Sequence, residues 1–112
     1  MSPQQKPAVP SDTVPIRIVL PSQLRTLAQV TGEVVVEVTA PVTTGAVIDA
    51  LEAAHPTLAG TIRDRDTGCR RPMIRIYADG EDYSDAWTDP ELPDPVIEGH
   101  QPLRLVGAIA GG

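Results

Sequence analysis

The final stretch of the sequence, LRLVGAIAGG, carries the group with the clearest chemical potential. A strand-like alternation from Leu103 to Val106 is followed by small or aliphatic residues and then by Gly111 and Gly112. At the usual glycine frequency of roughly 7%, two glycines occupy two given positions in well under about one chain in a hundred. A terminal carboxylate carried on residues without side chains fits a narrow enzyme channel, so the ending suggests a reactive C terminus.

The rest of the sequence contains little that would support a catalytic side chain, a metal site or a phosphate-binding loop. His55 precedes a proline at a predicted helix end, and His100 lies in a predicted turn, so neither has a positioned nucleophile. One cysteine and two histidines do not supply a zinc site, and the acidic residues from Asp79 to Glu98 lack calcium-loop spacing. The segment GAIAGG lacks the lysine and the following helix of a phosphate-binding loop. We predict no catalytic side chain, no metal and no bound cofactor.

The single cysteine, Cys69, lies in TGCRRP beside Arg70 and Arg71. Two neighbouring cations are expected to lower the pKa of the thiol, which leaves open a role as a sulfur-accepting group. A thiol with no chemical role is the interpretation that we favour. With no second cysteine, no internal disulfide can form.

Composition indicates one acidic domain. The 112 residues carry a net charge of -6, which argues against nucleic acid and anionic membrane surfaces as partners. No signal peptide and no apolar run near 18 residues is evident, so a cytoplasmic protein is expected. Because the chain has no Phe, one Trp and two Tyr, its core must be built from aliphatic residues.

Period-two alternation predicts strands in VPIRIVLP, EVVVEVTA, MIRIYADGED and PLRLV. The dipeptide Asp79-Gly80 is a hairpin signal at the end of the third. The residues predicted to face inward are Ile16, Ile18, Leu20, Val34, Val36, Val38, Ile74, Ile76, Leu103 and Leu105.

Helical spacing is clearest in TTGAVIDALEAAHP, where Val47, Ile48, Leu51 and Ala54 form a stripe. Thr43 or Thr44 is expected to cap this helix, and the proline at its end stops it. SQLRTLAQVTG is predicted as a connection with a short helical turn. Residues 57–72 are predicted as mainly loop, and residues 83–101 as mostly irregular with one short edge strand. The order predicts a two-layer α+β domain.

We divide the chain into a disordered arm at 1–13, a domain at 14–106 and a flexible tail at 107–112. One sheet face is expected to lie on the helix and the other to meet solvent or a partner. A solvated face and a docking surface both remain open for the second. Its predicted residues are Arg17, Val35, Glu37, Arg75, Tyr77, Arg104 and Val106.

The element order and LRLVGAIAGG together resemble the ThiS/MoaD family of ubiquitin-like sulfur carriers over about residues 14–112. GAVIDALEAAHP looks like the family's single helix, and MIRIYADGED like the strand and turn that follow it. The resemblance is strongest to the longer members of cysteine and other sulfur-transfer pathways. It implies a β-grasp fold, in which a mixed sheet packs on one main helix.

The resemblance also implies a carrier that is monomeric when free and is not itself an enzyme. An E1-like enzyme would use ATP to adenylate the Gly112 carboxylate, sulfur would replace AMP, and the thiocarboxylate would serve an acceptor enzyme. Gly111 would pass beside ATP, and the threading residues would be Gly107, Ala108, Ile109 and Ala110. Segments 57–72 and 81–101 are longer than in the smallest carriers, so the acceptor pathway (cysteine, molybdopterin, thiamine or related) stays open.

Two alternatives accompany this interpretation. A ubiquitin-like modifier, conjugated to protein lysines through Gly112, would have the same fold and the same activation. A binding module with an inert tail would instead act through Arg17, Arg75, Tyr77 and Arg104.

Overall fold

The fold is a five-stranded mixed sheet with its helices packed against one face, seen in a computed structural model that describes residues 13–107. The strands are β1 (Thr13–Val19), β2 (Val34–Thr39), β3 (Ile74–Ala78), β4 (Glu81–Asp82) and β5 (Leu103–Gly107). The helices are α1 (Ser22–Ala28), α2 (Thr44–Ala54) and α3 (Asp94–Ile97), with a 3₁₀ turn at Pro56–Leu58.

The strands lie in the order β2-β1-β5-β3-β4. β1 and β2 are antiparallel, as are β3 with β4 and β3 with β5, while β1 and β5 run parallel at the centre. The α+β β-grasp architecture predicted from the sequence is therefore confirmed.

The alternation correctly identifies the buried face of every predicted strand. Ile16 and Ile18 of β1 and Ile76 of β3 are fully buried, as is Leu103 of β5. β2 contributes a row of three buried valines, Val34, Val36 and Val38, against which α2 packs. Because these side chains are all aliphatic, the core consists of interlocking branched residues on a pleated surface.

Helix α2 begins where the sequence predicts it to begin. The Thr43 side chain accepts a hydrogen bond from the Ala46 amide at 3.2 Å, which satisfies one unpaired donor of the first turn. Val47, Ile48 and Leu51 are fully buried. Ala54, predicted for the same stripe, is exposed because the helix ends there and the chain turns away from the sheet.

The Asp79-Gly80 turn also has the predicted geometry. Both residues have positive φ, 50° and 81°, and the flanking Ala78 and Glu81 pair directly. A two-residue loop of this type matches the twist of antiparallel strands. The turn leads into the short edge strand β4. The sequence predicts such a strand within residues 83–101, but β4 lies just before that segment.

The two long connections pack against the domain more than the sequence indicates. Leu58 and Ile62 anchor residues 57–72 in the core, and Leu92 and Val96 anchor the acidic stretch. The second pair lies on and beside helix α3, in a region predicted as mostly irregular. These single apolar residues lie among prolines and carboxylates, so no periodic pattern in the sequence predicts that they are buried.

Strands β1 and β5 each include one residue that the sequence division placed outside the domain, and the division itself stays a prediction. Thr13 belongs to β1, where it pairs with Thr39, and Gly107 belongs to β5, where it pairs with Ile74. Each of these two residues belongs to its strand because a residue of the neighbouring strand pairs with it. The remainder of the predicted arm and tail, residues 1–12 and 108–112, lies outside the described residues.

Candidate functional site

The face of the sheet that points away from α2 brings the predicted docking residues together. Arg17 lies opposite Val35 across β1 and β2, while β3 and β5 set Tyr77 opposite Arg104. The predicted docking set consists of Arg17, Val35, Arg75, Tyr77, Arg104 and Val106; Glu37, the seventh residue predicted to face outward, lies opposite Pro15 on the same strand pair. The role of this set in docking stays a prediction, but its members share one surface.

The apolar residues of the outer face are unusually open to solvent. Val35 is 58% exposed and Val106 is 42% exposed, one on the edge strand β2 and one on the central strand β5. Val19, which the prediction left out of the docking set, lies beside Arg104 through the parallel pairing of β1 and β5. A partner surface that covers these valines would remove apolar area from water.

Arg17 is held by two acceptors. Its guanidinium forms a two-point ion pair with Glu33, in which Nε to Oε1 and Nη2 to Oε2 are both 2.8 Å. Its Nη1 donates to the Gly99 carbonyl at 2.8 Å, which ties the end of the acidic stretch to β1. The hydrogen bond from Arg17 lowers the pKa of Glu33, and the hydrogen bond to Glu33 raises the pKa of Arg17.

Arg75 is paired in a similar way, with Asp82 across the hairpin. Hydrogen bonds from Ser84, followed by the bond from Arg75, lower the pKa of Asp82 to about 2. The Asp82 Oδ1 accepts from the Ser84 amide at 2.8 Å, and the buried Ser84 Oγ accepts from the Ile76 amide at 2.9 Å. The position of Arg75 is therefore coupled to the backbone of β3.

Arg104 differs from the other two arginines of the face. Within residues 13–107 it forms no ion pair, and it is exposed on the central strand β5. Its charge contributes a minor part of the lowered pKa of Glu33. Of the three positive charges that the sequence places on this face, Arg104 is the one still available to an acidic partner.

The predicted tail begins beside the same sheet. Gly107 closes β5 opposite Ile74, and a Cβ added to it would lie 3.4 Å from the Cβ of Pro21. The backbone thus passes close to the start of α1 as it leaves the sheet. The other tail residues predicted to thread or react are Ala108, Ile109, Ala110, Gly111 and Gly112, and they lie outside the described residues.

Cys69 is exposed at the rim of an open cleft of about 800 Å³ beside the start of α2. The Arg70 guanidinium donates to the Ser84 and Ile74 carbonyls and pairs with Asp85. Arg71 donates to the Gly60 carbonyl. Both guanidinium groups are thus engaged by other acceptors, which weakens the sequence argument that they activate the thiol.

The opposite wall of this cleft is also charge-compensated. Arg63 pairs with Asp49 at 2.5 Å and with Glu52 at 2.9 Å, and its guanidinium carbon lies 5.9 Å from the centre of the Trp87 ring. The Gly45 amide donates to the Trp87 carbonyl at 2.8 Å, which closes the start of α2 against this loop. These contacts hold the fold together and leave no unpaired arginine on this wall, among the described residues, to attract an anion.

Other chemistries find no assembled site within residues 13–107. No three His, Cys, Asp or Glu side chains there lie close enough to hold a metal ion. His55 caps the end of α2 through its amide, and the exposed His100 lies 3.6 Å from Glu98. None of the helices in this part of the chain is long and apolar enough to cross a membrane.

The arrangement of a central β5, an N-terminal hairpin and one main helix matches solved structures over nearly the whole chain. SAMP1 from Haloferax volcanii is 24% identical, with a TM-score of 0.66, and the match covers 88% of this chain and 99% of that chain. The chain has the ThiS/MoaD-type β-grasp fold.

Two further β-grasp structures support the same conclusion. A match from the BexX/CysO complex of Amycolatopsis orientalis is 22% identical, has a TM-score of 0.64 and covers 86% of this chain and 98% of that chain. The HVO 2177 protein of Haloferax volcanii is 18% identical, has a TM-score of 0.67 and covers 100% and 99%. No protein-family model and no curated protein matches the chain.

The sequence prediction missed the acceptors that restrain two of its arginines. Neither Glu33, the partner of Arg17, nor Asp82, the partner of Arg75, was part of the predicted docking set. Asp82 could have been placed on the outer face from the sequence. A two-residue turn at Asp79-Gly80 sets Asp82 opposite Tyr77 in the hairpin. No sequence pattern predicts the contact between Arg17 and the Gly99 carbonyl, because Gly99 lies in a distant, irregular segment.

Proposed function

We propose that this protein is a sulfur carrier whose Gly112 carboxylate is activated by a separate adenylating enzyme. The observation that carries the proposal is the position of β5. This strand lies in the middle of the β-grasp sheet and ends at Gly107, and the five residues that follow it finish on Gly111-Gly112. Five extended residues span up to about 17 Å, far enough to enter an enzyme channel.

The proposed chemistry has two steps. A carboxylate oxygen of Gly112 attacks the α-phosphorus of ATP and pyrophosphate leaves, which gives an acyl-adenylate. A hydrosulfide equivalent then attacks the carbonyl carbon, the carbon–oxygen bond to AMP breaks, and a proton is released. The product is a thiocarboxylate that passes its sulfur to an acceptor enzyme. The protein is a substrate in both steps, and ATP belongs to the enzyme's site.

Glycine at the end of the chain suits the first step for a steric reason. In-line attack requires the carboxylate and the α-phosphate to approach within about 3 Å in a fixed orientation. A Cβ on the last residue would crowd that approach. Because ATP is a cytosolic substrate, the proposal also places the carrier in the cytoplasm.

The outer face is the proposed docking surface for the activating enzyme. It combines the exposed Val35 and Val106 with the aromatic ring of Tyr77 and the charge of Arg104, which forms no ion pair among the described residues. An apolar patch with one free cation favours a partner surface that is apolar at its centre and acidic nearby. The same β5 strand carries Arg104 and ends at Gly107, so docking here would position the tail.

The structural neighbours support a carrier or a modifier. CysO is a sulfur carrier, observed in a complex with BexX, and SAMP1 is a ubiquitin-like small archaeal modifier. A modifier is therefore the second candidate, in which a lysine amine of another protein replaces AMP and forms an isopeptide bond to Gly112. Both candidates require the same activation, while a binding module with an inert tail requires none.

Intact-mass measurement of the protein purified from its own host tests the proposal. A carrier shows a subpopulation heavier by one sulfur in place of one oxygen, and alkylation specific for thiocarboxylates removes that subpopulation. Branched Gly-Gly remnants on other proteins, with no sulfur-containing species, identify the modifier. A mass that never departs from the unmodified chain, together with full function after removal of residues 108–112, identifies the inert module.

A further inference from the structure

A small apolar groove lies at the end of the sheet where β5 stops. Its volume is about 260 Å³, and it lies between the start of α1 and the segment that enters β3. Five of its lining residues are apolar: Pro21, Leu24, Pro72, Met73 and Ile74. Leu24 and Ile74 belong to the buried core, whereas Met73 is 49% exposed, so the groove opens to solvent beside the Met73 side chain.

The charged and hydroxyl side chains that line the groove are engaged by other parts of the fold. The Arg71 guanidinium donates to the Gly60 carbonyl at 2.9 Å, and its Nη1 lies 3.6 Å from Oδ2 of Asp64. The Thr61 hydroxyl donates to the Leu58 carbonyl at 2.6 Å. The groove therefore suits an apolar group better than an ion. Its volume is below the roughly 300 to 1,000 Å³ of small-molecule pockets, which favours a single side chain as the occupant.

The groove adjoins both the outer face and the start of the tail. The pair of Ile74 and Gly107 lines the groove, and the next pair of the same ladder, Arg75 and Val106, belongs to the outer face. Val106 is 42% exposed and Met73 is 49% exposed, so apolar side chains open to solvent lie on both sides of this step in the ladder. A partner that covers the outer face near Val106 thus reaches the groove.

We infer that the groove receives one aliphatic side chain of the activating enzyme, from the rim of the channel that admits the tail. Five residues separate Gly107 from the reactive end and span up to about 17 Å, so the enzyme's adenylation site lies within that distance of Gly107. Because Gly107 also lines the groove, the enzyme surface around the channel lies over the groove. This contact rests on the carrier proposal, since it requires an enzyme that admits the tail.

Met73 is the groove residue whose environment changes most on docking. Leu24 and Ile74 are already buried in the core, so an entering side chain removes from water mainly its own surface and that of Met73. The loss of one such covered contact corresponds to roughly tenfold in affinity. Apolar contacts act mainly on the lifetime of a complex, whereas exposed charges act on encounter, so the effect of the groove should be independent of salt.

ATP–pyrophosphate exchange tests this contact, with the adenylating enzyme purified from the protein's own host by its exchange activity on the wild-type chain. Met73→Gln should raise the KM for the carrier about tenfold at every salt concentration. Its kcat should stay close to that of the wild type, because the carboxylate of Gly112 is untouched. Met73→Leu should keep the wild-type KM, since an apolar exchange of similar volume preserves the contact.

Leu27→Gln is the matched control. It makes a similar change on α1, at a side chain that is 45% exposed and outside the groove lining, and it should keep the wild-type KM. Equal KM values for Met73→Gln, Leu27→Gln and the wild type overturn the inference and leave the carrier proposal untouched. Failure to find any host enzyme that performs the exchange on the wild-type chain removes the carrier proposal, and the groove contact with it.

Oxidative footprinting gives a readout that a purely structural role for Met73 would not move. Dilute hydrogen peroxide converts an exposed methionine to its sulfoxide, and peptide mass analysis locates the product. Oxidation of Met73 should slow several-fold when the enzyme is saturating, and an unchanged rate in that complex overturns the inference. Sedimentation of the free protein tests a second copy as the occupant. A dimer that Met73→Gln dissociates would assign the groove to self-association and also overturn the inference, whereas we expect the same sedimentation for both chains.

Discussion

Tyr77 lies directly opposite Arg104 on the outer face of the sheet, where β3 and β5 run antiparallel. The pair places the one aromatic side chain of the predicted docking set beside the one arginine of that set that has no ion pair within residues 13–107. Because β5 also ends at Gly107, the pair and the start of the tail share one strand.

Charge reversal of Arg104 should slow activation more than any other single change of charge on the face. We expect Arg104→Glu to reduce the rate of adenylation about tenfold or more at low salt, with the defect shrinking as salt rises, because such charges act mainly on the rate of encounter. Arg75→Glu should have a smaller electrostatic effect, since Asp82 already compensates Arg75. ATP–pyrophosphate exchange with the activating enzyme, measured at several salt concentrations, gives the rates.

The matched control is Arg65→Glu. Arg65 is exposed on the loop before Cys69, away from the outer face, so it carries the same change in net charge at a distance from the predicted contact. An equal loss in Arg65→Glu and Arg104→Glu would show that only net charge matters. Unchanged exchange in both Arg75→Glu and Arg104→Glu would remove this face as the docking surface.

Asp82 should contribute to acid sensitivity. Its pKa is lowered from the ordinary value of 3.8 to about 2, so the unfolded chain binds a proton here at a higher pH than the folded chain does. The stabilisation from this carboxylate is therefore fully present above about pH 4 and is lost as the pH falls toward 2. Asp82→Asn should lower the free energy of unfolding at pH 7 and flatten its fall between pH 4 and 2.

Urea unfolding at a series of pH values measures this dependence without adding salt. Asp89→Asn is a suitable control, since it removes a carboxylate from the same acidic stretch. If Asp82→Asn and the wild type lose the same free energy between pH 4 and 2, Asp82 is not a source of the acid sensitivity. Glu33 and Asp64, whose pKa values are also lowered, would then have to account for it.

Cys69 should be dispensable for sulfur transfer. The proposed chemistry carries sulfur on the Gly112 carboxyl, and the Arg70 and Arg71 guanidinium groups beside the thiol are bound to other acceptors. Because the side chain is exposed, Cys69→Ala should also change stability by no more than about 0.5 kcal/mol. Intact-mass detection of the thiocarboxylate tests the variant. Loss of that species with a native circular dichroism spectrum would assign the thiol a role.

Much of the fold could be predicted because its information is local. A side-chain period of two separates Ile16 and Ile18 from Arg17 with no knowledge of the partner strands. The Asp79-Gly80 turn and the threonine cap of α2 are likewise local, and each appears in the structure with the expected geometry. The order of strands came from the family resemblance, because nothing local sets β1 parallel to β5.

The parts that escaped prediction depend on contacts between distant segments. Val96 is fully buried although it lies among prolines and carboxylates, and only the tertiary fold supplies the cavity that it fills. Arg17 donates hydrogen bonds to Glu33 and to the Gly99 carbonyl, two partners that no local sequence pattern associates with each other. The predicted residues of the outer face therefore share one surface, but two of its three arginines are paired with carboxylates that the predicted set did not include.

The terminal residue gives the sharpest test of the proposed chemistry. Deletion of Gly112 retracts the carboxylate by up to about 3.5 Å, the reach of one residue. A displacement of about 1 Å already costs on the order of a hundredfold in rate, so exchange of pyrophosphate into ATP should fall at least that far. One residue added after Gly112 should be as harmful, because it converts the reactive carboxyl into a peptide bond.

Neither change alters a residue of the described core, so the free energy of unfolding should stay within about 0.5 kcal/mol of the wild type. One residue added before Met1 is the matched control for the extension, since it lengthens the chain equally and leaves the Gly112 carboxylate free. Lost exchange in the two C-terminal variants, normal exchange in the control and unchanged melting in all three are expected of a carrier and of a modifier alike. Exchange that survives truncation or extension would show that the diglycine is not the activated group, and the outer face would then have to act without it.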